Sequence, residues 1–148
     1  MKKWLTFLFL LIYSVSQSQT EQDYELFKII NEERFYSGLN KYQLYDNYTD
    51  FEYFANYSLR LKDSSDKEIR KSVNYINDFI GVYYPNASRV YYAAVCSFEQ
   101  PTPQSLINTL IVSSNFPQDL STYVLPKMIL YRVGGKWVGF IYILTFDI

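Results

Sequence analysis

The two runs that close the chain, Met128 to Val133 and Lys136 to Phe146, constrain its fold more than any other feature, because they are apolar on both faces. Gly134-Gly135 joins them, and this dipeptide accepts the positive φ angles of a two-residue hairpin turn. Successive side chains of a strand point to opposite faces. In the second run Trp137, Ile141 and Ile143 therefore point one way, and Val138, Phe140, Tyr142, Leu144 and Phe146 the other. Such strands need cover on both sides. The expected fold class is α+β: a three-layer α-β-α sandwich around a small, mainly antiparallel sheet with a C-terminal β-hairpin.

The rest of the chain supplies helices for the two outer layers. Thr20 and Asp23 are spaced as an N-cap and a first-turn acid, and Tyr24, Phe27, Ile30 and Arg34 follow at helical intervals until Gly38, which predicts a helix over 21–36. Thr49-Asp50-Phe51-Glu52 is a capping box flanked by Tyr48 and Tyr53 as a hydrophobic staple, so a second helix is expected to about Lys62. Ser65-Asp66-Lys67-Glu68 opens a third, with Ile69, Val73, Ile76 and Ile80 on one face and Gly81 as its expected stop. After a turn at Pro85-Asn86, Arg89 to Phe98 reads as a strand, and Thr102-Pro103 starts a helix to about residue 113. The segment from Pro117 to about Tyr123 reads as loop or a short helix. With no repeat or linker, residues 19–148 are expected to form one domain.

Met1-Lys2-Lys3 followed by the apolar stretch Trp4 to Val15, with small residues around Ser14 to Ser18, is the pattern of a cleaved secretory signal over residues 1–18. The apolar stretch is shorter than the about 20 residues that a spanning helix needs. The expected product is secreted or periplasmic, free of the membrane after cleavage, monomeric, and, from its Lys-Lys start, bacterial. The sequons at Asn47, Asn56 and Asn86 are then incidental. Removing Lys2 and Lys3 from the 14 basic residues leaves 12 against 15 acidic, a net charge of −3. That mild acidity, with basic residues only in short clusters such as Arg70-Lys71, argues against a nucleic-acid partner. Cys96 is the sole cysteine, so no internal disulfide is possible, and its apolar neighbours predict a buried thiol.

No histidine occurs in the 148 residues. Triads that use imidazole and most zinc, copper or iron sites are thereby closed, so no metal, cofactor or catalytic residue is assigned. Glu32-Glu33 diverge on a helix and read as a solvated face. A distant acid pair such as Glu32 with Glu99 keeps open a secreted carboxylate-only hydrolase, and a structural envelope protein is a further alternative. Tyr42, Tyr45 and Tyr48 recur every three residues in a polar connection, a pattern that suits a protein or glycan surface as well as the rim of a small core, whereas Tyr83-Tyr84 and Tyr91-Tyr92 read more firmly as core.

Leu26 to Leu39, with an apolar turn, Asn31-x-x-Arg34 and then Gly38-Leu39, resembles the opening helix of the CAP superfamily, the secreted SCP or pathogenesis-related-1-like domains. Phe51 to Leu59 is similar to that family's next helix, and Leu106 to Phe116 followed by an apolar hairpin resembles its closing elements. The resemblance implies a three-layer sandwich. It also implies a cleft whose metal is held by two histidines and two glutamates, and here the chain departs. The Ser-x-x-His segment reads Ser113-Ser114-Asn115-Phe116, and the Gly-Glu-Asn segment has no counterpart in Arg89 to Ala93. The expected function is that of a secreted, non-enzymatic CAP-like domain that binds a ligand or protein partner.

Overall fold

The computed structural model describes residues 21–45, 61–114, 116 and 118–147. In chain order these form α1 over 21–36, β1 (Gln43–Leu44), α2 (Asp66–Tyr83), β2 (Ala87–Ser97), α3 (Pro103–Ser113), β3 (Tyr123–Val133) and β4 (Lys136–Phe146). The signal segment, Tyr48 and the helix expected from Thr49 lie outside the described residues; Leu61 and Lys62, its expected end, are not helical. Among the described residues no helix is long and apolar enough to cross a membrane.

The strands form one sheet in the order β1-β3-β4-β2. Both partners of β4 are antiparallel to it, and β1 runs parallel to β3. Gly134 and Gly135 hold φ of 60° and 81° at the hairpin, the left-handed pair that a tight turn between twisted strands requires. The doubly apolar β4 is covered as its alternation demands. Val138, Phe140, Tyr142, Leu144 and Phe146 pack with Val73, Ile76 and Ile80 of α2. On the opposite face Ile141 and Ile143 pack with Leu26 and Ile30 of α1 and Leu106, Ile107 and Leu110 of α3. The three layers expected from the sequence are present.

Caps set the helix starts. Ser65 accepts the Glu68 N–H at 3.4 Å, and Asp66 and Glu68 place negative charge in the first turn of α2. At α3 the Thr102 and Ser105 side chains accept each other's backbone N–H, with Pro103 in the first turn.

Four expectations are corrected. The third predicted helix, α2 here, does not stop at Gly81 but continues to Tyr83, because Gly81 keeps a helical φ. β3 begins at Tyr123, where the segment read as loop or short helix ends, five residues ahead of the expected start at Met128. Cys96 is exposed, because β2 is an edge strand with one covered face: Tyr91, Ala93 and Val95 face α1 and α3, while Cys96 lies on the other face. Tyr83 and Tyr92, read as core, are exposed, whereas Tyr84 is buried.

The β1 side of the sheet is closed by specific devices. Val124, Pro126 and Met128 turn their backbone groups away from β4. Tyr45 N–H donates to Val124 O at 2.9 Å, Pro126 has no N–H to satisfy, and Met128 N–H donates to Asp23 Oδ1 at 2.9 Å. Asp23 Oδ2 lies 3.1 Å from Nζ of the buried Lys127. One α1 carboxylate thus serves a strand edge and a buried ammonium.

Candidate functional site

The Asn31-x-x-Arg34 spacing has a definite structural job. Gly38, at φ 75°, reverses the chain after α1, and Leu39 N–H donates to Arg34 O at 2.8 Å. The returning segment is then held by two α1 side chains. Asn31 pairs with both backbone groups of Tyr42, donating from Nδ2 to its oxygen at 3.2 Å and accepting its N–H at 2.8 Å. Arg34 Nε donates to Asn40 O at 2.6 Å, and the guanidinium carbon stands 3.8 Å from the centre of the Tyr42 ring. Residues three apart lie on one helix face, which is why both can grip the same loop.

The latch closes on Asp119, in the connection between α3 and β3. Its backbone oxygen accepts from Arg34 Nη1 and from the Tyr42 hydroxyl at 3.1 Å. Its carboxylate accepts the Ser121 N–H at 2.7 Å, the Tyr91 hydroxyl at 2.9 Å and the Thr145 hydroxyl at 3.0 Å, with Arg89 Nε at 3.9 Å. Burial pushes this carboxyl up, but the Ser121, Tyr91 and Thr145 donors outweigh burial and hold it below the usual carboxylate range. Burial and the Asp119 charge push the Tyr91 phenol up to about 12. An ionised carboxylate with these donors already on it is an acceptor and not a proton source. A concavity of about 480 Å3 beside it is bordered by Arg89, Asp119 and Asp147.

A second concavity, about 530 Å3, runs along α1. Asn31, Phe27 and Tyr42 line it, Phe35 and Tyr36 stand at 66 % and 83 % exposure, and Lys28, Glu32 and Lys41 complete it. The Phe35 and Tyr36 rings meet edge to face at 5.8 Å. Rings held out of the core beside fixed polar groups are the usual make-up of a recognition cleft.

Of the tyrosines singled out from sequence, Tyr42 is buried in the latch and lines this cleft. Tyr45 stacks on Phe146 at 4.1 Å on the opposite face of the sheet, so these two rings are not brought together; Tyr48 lies outside the described residues. Glu32 lines the α1 cleft and Glu99, exposed just beyond β2, does not. Phe35 and Tyr36 were legible in principle as aromatics off the apolar face of α1. Asp119 carried no local signal, because its partners come from four separate segments. Among the described residues no three His, Cys, Asp or Glu side chains are grouped as a metal site needs.

Comparison with protein-family models, with curated proteins and with solved structures found no match.

Proposed function

We propose that this chain is an exported, non-catalytic binding domain of CAP-like type that takes a ligand or protein partner in the α1 cleft. The observation that carries this reading is the pair of exposed rings, Phe35 and Tyr36, beside a wall fixed by Asn31 and Tyr42. Support for the CAP-like type comes from the Asn31-x-x-Arg34 and Gly38-Leu39 pattern together with the three-layer arrangement. Support for a binding role without chemistry comes from the histidine-free sequence and from the engaged, ionised state of Asp119. The flat aromatic faces with amide, ammonium and carboxylate groups nearby suit a partner that offers both apolar surface and hydrogen bonds, such as a peptide or an oligosaccharide.

Peptide and oligosaccharide arrays probed with the purified protein test this directly. Binding is expected, and the Phe35→Ala/Tyr36→Ala variant should lose it by about tenfold or more, as removal of central aromatic contacts does. Binding that is indifferent to both rings contradicts the assignment of the cleft.

A further inference from the structure

The two edges of the sheet are treated differently. The β3 side is closed by β1, Pro126 and Asp23. On the other side β2 pairs only with β4 among the described residues, and from Val90 to Ser97 it carries no charge, proline or glycine. A long, uncharged edge of this kind recruits another strand. Its face away from α1 and α3 is an apolar stripe: Val90 and Tyr92 are 37 % and 47 % exposed, Ala94 and Cys96 are exposed after them, and Phe98, one residue past the strand, is 77 % exposed.

We infer that β2 pairs antiparallel with β2 of a second copy of this chain, about a two-fold axis through Ala94. The charge pattern selects both the occupant and the register. A two-fold axis normal to a sheet sets residues of the same face opposite one another, so it must pass through a residue and not between two. Arg89 and Glu99 are the only charged residues from Ala87 to Gln100, and both are exposed. Centring on Ala94 brings Arg89, near the start of β2, to the end of the second copy's strand, where Glu99 follows two residues past Ser97, and symmetry repeats the approach at the other end. Centring on Ala93 sets Arg89 opposite Ser97, and on Val95 opposite Pro101, with no charge complement in either case. The Ala94 register also lays Tyr92 beside Cys96 of the second copy and brings Val90 toward Phe98, one residue past that copy's strand, covering the exposed stripe. The two Cys96 residues end four positions apart along the strands, about 13 Å, beyond disulfide reach. The pairing is therefore non-covalent, and it replaces the monomer expected from the sequence.

Sedimentation velocity with and without reductant, paired with non-reducing electrophoresis of a cysteine variant, tests this. The protein should sediment as a dimer at about 100 μM whether or not reductant is present. Ala94→Asp, which sets two carboxylates against each other at the axis on an exposed face, should sediment as a monomer that stays folded and whose melting temperature, unlike the parent's, does not rise with protein concentration. Tyr92→Cys, whose new thiol faces Cys96 of the second copy, should give a covalent dimer on oxidation where the parent gives none. A parent that is monomeric at that concentration, a dimer that reductant dissolves, or a Tyr92→Cys variant that fails to cross-link overturns the inference.

Discussion

Asp23→Ala should cost about 3–5 kcal/mol of folding stability in chemical denaturation, the largest single-residue effect expected here. The buried Lys127 ammonium loses the carboxylate 3.1 Å away, and the Met128 N–H at the sheet edge loses its acceptor. Two controls separate these losses. Asp23→Asn keeps an oxygen for Met128 and should cost less. Asp23→Ala combined with Lys127→Met removes the buried charge together with its carboxylate and should recover most of the stability, since a buried pair exchanged for apolar groups is close to neutral. An Asp23→Ala variant within about 1 kcal/mol of the parent would show that the pair does not anchor α1 to β3.

The same pair shows where the sequence stopped being readable. Pro126 and Lys127 are residue types that a strand interior disfavours, so the apolar run that marks β3 in the sequence begins only at Met128. Proline is tolerated there because its nitrogen faces the edge, and lysine because an acid 104 residues earlier in the chain meets it. β1 has only two residues and no period to detect; its pairing with Tyr123 and Val124 creates it. A run of apolar residues does not say whether its strand is central or at an edge, which is why Cys96 is exposed where its neighbours predict burial. By contrast β4, the Gly134-Gly135 turn and the caps at Ser65 and Thr102 depend on neighbours in sequence, and they form as their local chemistry dictates. The cleft was half legible. Tyr42 stands out in the sequence, and Phe35 and Tyr36 fall off the apolar face of α1, but that the three border one cleft depends on the fold of the chain after Gly38.

Asp119→Ala should cost about 2–4 kcal/mol, because the Ser121 N–H and the Tyr91 and Thr145 hydroxyls lose their common acceptor. The loss should also reach the cleft, since Arg34 and Tyr42 are latched to the backbone oxygen of the same residue. Weaker binding at the α1 cleft in a variant that touches none of its lining is thus expected alongside the lower stability.

The pH dependence has a definite sign. The folded state holds this carboxyl below its ordinary value, so its contribution is complete above the unfolded value of about 4 and is lost as pH falls through the folded one. No imidazole titrates between about pH 5.5 and 7.5 in a histidine-free chain, so the melting temperature should be flat there and fall only in acid, less steeply for Asp119→Ala. A loss of stability beginning near neutral pH would contradict this assignment.

The proposed function assigns a CAP-like binding role to a chain that lacks the two histidines a metal cleft of that family uses. Native mass spectrometry of the purified protein after equilibration with zinc measures this most directly. Only metal-free masses are expected, for single chains and pairs alike, whereas one zinc retained per chain would contradict the claim that this cleft binds without metal chemistry.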